Sequence, residues 1–319
     1  MAKSVFGAEE IWESITHELL DVRDVPEDRS AIRVTLDWTD LGRFAALVLA
    51  IPYRGRALPL AVEVIPKAFL DQMMTDLEIT LVQRFLGWLS ADLRSRIVIL
   101  ADREFAKVEL METIEEAGAF YVIRLRRDAR IRLGTGWVQL QALGVLPGEN
   151  RLYPSVRYTQ EHGKELHVAI RRLSAGKAND PDDDTWYLAT NWVEPAMAAP
   201  WYSLRFKIEE MFKDLKCMLD VAGHQMKEEE GLSRLVAVVG LYYTFVILHG
   251  QAQTTPERLR QITRGGNRNP ELGIFRQAQA ILCLWAAETE APPLDFLMSI
   301  WTQRHRSGHR WSKRTGEAA

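Results

Sequence analysis

Apolar and polar positions follow different periods in different stretches of the chain, and each change of period predicts an element. Residues 8–20 space their apolar side chains as an amphipathic helix does, and the polar loop VPEDRS follows. AIRVTLDWTD (31–40) and RFAALVLAIPY (43–53), joined by a short turn at Leu41 and Gly42, predict two adjacent strands. ALPLAVEVI (57–65) predicts a third after the YRGR turn. Residues 67–93 keep helical periodicity with no Pro or Gly before Gly87, and RIVILAD (96–102) is a short buried strand bounded by charge. EFAKVELMETIEEAG (104–118) predicts a helix stopped by Gly118, and AFYVIRLR (119–126) a fifth strand. From about 128 to 190 short alternating segments are broken by GTG, PGEN and NDPDDD, the pattern of a β-rich region. Helical periodicity resumes near 200. A more buried helix follows over 232–253, then an apolar helix near 274–287 and a basic tail.

Three successive strands make a meander, and the strand after the long helix joins it in parallel through a right-handed crossover. The expected fold is therefore α/β, a mixed sheet flanked by helices. Expected boundaries are a short N-terminal helical segment (1–29), a core in two parts (30–127 and 191–252) separated by the β-rich segment (128–190), and a C-terminal helical region with a basic tail (253–319).

Composition changes this picture little. A chain of 319 residues, 47% hydrophobic and 26% charged, has the makings of a large core. A net charge of −3 disfavours nucleic-acid binding by the molecule as a whole, so any such contact needs a local excess of Lys and Arg. Charge is polarised: the N-terminal stretch is acid-rich, and RHRSGHRWSKR near the end is basic. Cys217 and Cys283 are far apart in apolar helical patterns, which predicts two buried thiols in a reducing compartment and no disulfide framework. No leader-like segment opens the chain, so a cytoplasmic protein is expected. The apolar run LVAVVGLYYTFVIL has 14 residues, fewer than the roughly 20 of a membrane span, and predicts a buried helix.

Candidate chemistry concentrates at three places. In YSLRFKIEEMFKDLK (202–216), Tyr202, Arg205, Glu209 and Lys216 fall within about 60° of helical arc, whereas Glu210 lies about 80° away on the other side. The stripe therefore selects Glu209 over Glu210. Asp37 and Asp102 each stand at a strand end, where a carboxylate needs a partner. If the first and fourth strands are neighbours, the two aspartates converge, and a glutamate from a crossing helix completes a three-carboxylate oxygen site. Such a site suits Mg²⁺ or Mn²⁺, and two ions would stabilise the attacking and leaving oxygens of an in-line displacement at phosphorus. Each residue also has a plainer role open to it: Asp37 as a turn former, Asp102 as a helix N-cap, and the stripe as a solvated face with ordinary ion pairs. Asp182, Asp183 and Asp184 read as a solvated turn and His305 and His309 as part of the basic tail, while His224 and Gln225, shortly after the Glu209 helix, have both an approach to the site and a structural role open to them. No Walker loop, HExxH or G-x-S-x-G is present, so nucleotide hydrolysis, zinc peptidase and serine hydrolase chemistries find no local support.

The spacing Y-(2)-R-(3)-E-(6)-K met by Tyr202, Arg205, Glu209 and Lys216 resembles the signature of bacterial DDE transposases of the insertion-sequence-four group. LDWTD and LADREF resemble the contexts of that family's two catalytic aspartates. The resemblance covers about residues 30–250. It implies an RNase H-like core with a β-rich insertion, and Asp37, Asp102 and Glu209 as catalytic ligands of Mg²⁺ or Mn²⁺, two ions in all. It also implies phosphate binding by Arg205 and Lys216, a DNA-backbone contact by Tyr202, and stacking of Trp186 on a flipped base. Packing of Trp186 in the core stays open beside that role. The implied partners are double-stranded DNA, as transposon ends and target, and a second copy of the chain in a synaptic complex, with no membrane. Thirty-six residues precede Asp37, fewer than the helical region such proteins usually carry there, so the resemblance does not extend to sequence-specific end recognition; a truncated copy, a mis-set start and recognition by the C-terminal residues are the alternatives. A stand-alone nuclease, or a transposon-derived DNA-binding protein without activity, are the alternatives.

Overall fold

The computed structural model describes residues 7–22, 30–174, 184–217, 226–264 and 273–289. Asp182, Asp183, His224, Gln225, His305, His309 and the basic tail lie outside them. The chain divides into two compact units, 1–243 and 244–319.

In the first unit, β1 (Ile32–Leu41), β2 (Phe44–Tyr53) and β3 (Arg56–Pro66) form an antiparallel meander. Its turns use left-handed backbone at Gly42 and at the Arg54–Gly55 pair, as tight hairpins require. α1 (Ala8–His17) precedes the meander, with buried Trp12 and Ile15 on its apolar side. A 3-10 turn at Lys67–Phe69 leads into α2 (Leu70–Trp88), and the short α3 (Ala91–Arg94) leads into β4 (Ile97–Ala101). α4 (Val108–Glu116) ends where Gly118 adopts φ +78° and the Ala119 N–H reaches back to the Ile114 carbonyl, 3.0 Å. β5 (Phe120–Arg124) follows. β4 pairs in parallel with both β1 and β5, as the sequence pattern requires.

The 128–190 segment supplies β6 (Arg130–Leu133), β7 (Gly136–Gln139), β8 (Asn150–Tyr158), β9 (Lys164–Arg172) and β10 (Thr185–Thr190). These strands continue the same sheet. β10 pairs antiparallel with β5, and the full order is β3-β2-β1-β4-β5-β10-β9-β8-β6-β7. β4 is buried at every position because helices cover both faces of the sheet.

Beyond β10 the chain coils continuously, but in four pieces: a 3-10 turn at Pro195–Met197, α5 (Ala198–Tyr202), a second 3-10 turn at Ser203–Arg205, and α6 (Phe206–Cys217). The stripe predicted on one regular helix thus starts on α5 and the tighter turn. α7 (Glu229–Ala252) buries Leu232, Ala237 and Tyr243. Among the described residues it is the one helix long and apolar enough, by length and composition, to cross a membrane. The second unit contains α8 (Pro256–Arg264) and α9 (Ile274–Thr289), where Phe275, Ala278, Ile281 and Leu282 form the buried stripe. Cys283 on α9 and Cys217 at the end of α6 were expected buried; both residues are exposed, because each falls off its helix's apolar stripe, and neither is in a disulfide.

Candidate active site

Parallel pairing of β1 with β4 sets Leu36 opposite Ala101, so the next residues, Asp37 and Asp102, emerge side by side from adjacent strands. Side chains alternate along a strand, which sends Asp37 to one face and Trp38 to the other. On the Asp37 side lies Arg205. Its guanidinium bridges two carboxylates: Nη1 donates to Asp37 Oδ2 at 2.9 Å and Nη2 to Glu209 Oε1 at 2.8 Å. The Tyr202 hydroxyl donates to Asp102 Oδ1 at 3.1 Å. Residues predicted from three distant segments therefore meet around one guanidinium and one phenol.

Local backbone fixes both aspartates. Asp37 Oδ1 accepts the Trp38 N–H at 2.9 Å, and Asp102 caps the 3-10 turn Arg103–Phe105 through the Arg103 N–H at 2.7 Å. The capping role open to Asp102 from sequence is thus real and coexists with its place in the cluster. Glu210, off the stripe, instead accepts from Lys213 at 2.6 Å on the other side of α6.

Burial dominates the electrostatics. The Asp37 carboxyl is pushed up to about 6 by desolvation, against the pull of Arg205 and the Trp38 N–H, with Asp102 and Glu209 adding in the same upward direction. Arg205 is 6% exposed; desolvation works against its charge, but Tyr202 and the surrounding carboxylates more than compensate and keep it cationic. Burial likewise raises the Tyr202 phenol, so it stays a proton donor to Asp102.

Three of the sequence-predicted roles do not fit this arrangement. Tyr202 is fully buried, and its hydroxyl is engaged with Asp102, so it presents no surface to a DNA backbone. Trp186, 7% exposed, packs edge-on against Tyr202 with ring centroids 5.2 Å apart, inside the cluster formed with Trp201 and Leu188. It is a core aromatic here, because α5 lays Trp201 and Tyr202 over that face of β10. Lys216 lies two turns along α6 from Glu209, among the apolar groups Trp12, Leu41 and Met211, and its charge acts on Asp40 instead of the cluster.

One residue escaped sequence reasoning. Glu78 on α2 is fully buried on the opposite face, where it accepts the Trp38 indole N–H at 3.2 Å and the Lys107 ammonium at 2.7 Å. It ties the residue after Asp37 to the segment after Asp102. Burial raises its carboxyl, with Lys107 and Trp38 opposing. The signal was legible: Glu78 occupies the first position of a stripe completed by Leu81, Val82 and Phe85, all buried. A lone acid in such a stripe requires a polar partner.

Among the described residues, no group of three His, Cys, Asp or Glu side chains is arranged to hold a metal ion. The Arg205 guanidinium occupies the place between Asp37 and Glu209 that a cation would take. The donor set nevertheless suits a hard divalent ion, since it is oxygen only. Both bonds to Asp102 fall on Oδ1 and the Arg205 bond to Glu209 on Oε1, so Asp102 Oδ2 and Glu209 Oε2 have no partner among the described residues.

Asp37 was expected at a strand end but stands inside β1, opposite Val48, because β1 runs on beside β2 to Leu41 after its pairing with β4 stops at Leu36. A strand order β3-β2-β1-β4-β5 with one carboxylate inside β1, one directly after β4, and a third on a helix laid over them defines an RNase H-like catalytic core. The family model described as the transposase DDE domain matches residues 77–243, more than half of the chain, and the chain belongs to that family. Asp102 and Glu209 lie within the matched residues; Asp37 precedes them and is brought to Asp102 by the β1–β4 register. No curated protein matches the chain.

Proposed function

We propose that this DDE transposase belongs to the insertion-sequence-four group, cuts phosphodiester bonds at the ends of a mobile element, and joins the freed 3′-hydroxyls to target DNA. The observation that carries the proposal is the Arg205 bridge between Asp37 and Glu209 beside the Tyr202–Asp102 bond, which gathers two aspartates and three of the four signature residues, Tyr202, Arg205 and Glu209. Asp37, Asp102 and Glu209 would hold Mg²⁺ or Mn²⁺ once Arg205 turns aside. The bound ion supplies charge neutralisation at the reacting phosphate and a nucleophilic oxygen at neutral pH.

Every other step falls to the chain. Tyr202 keeps Asp102 oriented by donating to one oxygen and leaving the second open. Arg205, on leaving the carboxylates, offers its donors to a non-reacting phosphate oxygen in bidentate geometry. Its Nε is buried with no partner among the described residues, an unmet donor that such an oxygen would satisfy. Action on paired DNA ends implies a dimer or larger assembly in the bacterial cytoplasm.

Incubation of a duplex carrying the element's end with Mg²⁺ or Mn²⁺ tests the reading. Cleavage should be abolished by Asp37→Asn, Asp102→Asn and Glu209→Gln; retention of cleavage in any of the three refutes the assignment. The same Arg205 bridge, which leaves no ready metal site, favours a second reading as a DNA-binding protein without activity. Binding of the duplex with no cutting under either ion would select it. Pre-cut ends offered with a target plasmid separate strand transfer from simple nuclease action.

A further inference from the structure

A second cationic feature lies on the same face of β1 as Asp37. Arg33 precedes Asp37 by four residues, so the two side chains share a face at about 13 Å along the strand. There Arg33, Arg54 and Lys207 line an open cleft of about 190 Å³, together with Tyr53, Leu204 and the β2–β3 turn. No acidic residue lines it. That is unusual for a chain with more Asp and Glu than Lys and Arg.

Each cation is held out by local structure. Arg54 has left-handed backbone at φ 41°, forced by the two-residue turn, and its guanidinium sits 5.3 Å over the Tyr53 ring, exposed to solvent. Arg33 rests 6.0 Å over the Trp201 ring and donates to the Ala31 carbonyl at 2.6 Å. Lys207 stands on the first turn of α6, two residues before Glu209. Neither Arg54 nor Lys207 forms an ion pair among the described residues. Thus the two segments that deliver carboxylates to the cluster, β1 and α6, also deliver cations to one neighbouring cleft.

We propose that this cleft binds the sugar–phosphate backbone of DNA flanking the bond to be cut. Its distance from Asp37 corresponds to about four nucleotide rises of 3.4 Å. Three cations with no Asn, Gln, Asp or Glu beside them in the cleft lining suit contact with phosphate oxygens, the contacts that position a duplex without reading it. The inference rests on the transposase reading. It explains how a chain of net charge −3 holds a polyanion next to its carboxylates.

The test is the salt dependence of duplex binding in EDTA, where cutting plays no part. A fluorescein-labelled 40-base-pair duplex of arbitrary sequence is titrated with the full chain and with the Arg54→Gln/Lys207→Gln double variant, and melting temperatures are compared. Loss of two phosphate contacts lowers the slope of log K against log salt by about 1.8, so the affinity drop between 50 and 200 mM salt shrinks about tenfold. The charge-retaining Arg54→Lys/Lys207→Arg variant should restore the wild-type slope. An unchanged slope in the Gln variant, or no restoration by the charge-retaining one, overturns the cleft while leaving the transposase reading intact. A wild-type chain that binds no duplex overturns both. Saturable binding of dAMP that the Gln variant loses would make the cleft a mononucleotide site and overturn the proposal as well.

Discussion

Replacing Asp37 with asparagine should stabilise the metal-free protein selectively at high pH. Burial favours the neutral Asp37 carboxyl, moving its titration from 3.8 to about 6. A group raised in this way contributes its full stability below the unfolded value and loses it as pH rises through the folded value. At about 1.4 kcal/mol per pH unit the gap amounts to about 3 kcal/mol, of which about 2.5 falls between pH 4 and pH 8. The Asp37 side chain is 20% exposed, too little for solvent to erase the effect. Asparagine does not titrate, and the weakened Arg205 contact is common to both pH values because the guanidinium stays charged throughout. The quantity to measure is the difference in urea unfolding free energy, variant minus wild type, in EDTA at each pH. It should move toward the variant by about 2.5 kcal/mol on going from pH 4 to pH 8. A difference that stays flat, or moves toward wild type, would refute the argument that desolvation outweighs Arg205 at this carboxyl. DNA cutting should run the other way, falling as pH drops through about 6, since the ligand form of Asp37 is the ionised one.

Three further outcomes are expected. Arg205→Gln should bind Mn²⁺ more tightly than wild type, as read by electron paramagnetic resonance, because entry no longer displaces two charge-assisted bonds worth about 1.5–3 kcal/mol each; weaker binding would sink the view of Arg205 as the resident cation. Asp214→Ala should cost about 3–5 kcal/mol in urea unfolding, because it strands Arg56, which donates to Asp214 at 2.7 Å in a buried pair, and the Arg56→Met/Asp214→Leu double variant should recover most of that loss. Glu78→Leu should cost about 1–3 kcal/mol by leaving the Trp38 indole N–H without an acceptor, and should raise the Mg²⁺ concentration needed for half-maximal cutting; an unaltered metal requirement would reduce Glu78 to a packing role.

Much of this was legible in the sequence where a single period was unambiguous. The alternation in 31–65 produced the meander, and the short apolar RIVILA segment after a long helix could only be an interior strand beside β1. From those two facts Asp37 and Asp102 had to be neighbours. Helical phase selected Glu209, which meets Arg205, whereas Glu210 faces Lys213 on the other side of the helix. What stayed hidden depends on contacts between segments. Nothing in the stripe's spacing says that Arg205 would turn inward onto two acids, because that requires the 3-10 turn at Ser203–Arg205 to bring it over Asp37. Nothing near Trp186 says that it lies beneath Tyr202, since the strands of 128–190 read equally well as a separate layer until β10 pairs with β5.

The two kinds of acid in the cluster are positioned by different means, and this bears on how the site is assembled. Asp37 and Asp102 are each fixed by a backbone N–H one residue on, and Glu78 ties the segments that follow them from the far side of the sheet. Glu209 has no such local tether. Its side chain is 44% exposed and its one polar partner among the described residues is Arg205. The place of Glu209 is set instead by α6 as a body, which the buried Asp214 anchors to Arg56 on β3 and to the Tyr243 hydroxyl at 3.1 Å on α7. A rigid pair of aspartates therefore faces a third acid that can swing on an anchored helix. Under the proposed function, an ion held by the three acids would have to displace one side chain, Arg205, and that would free a buried cation for a phosphate.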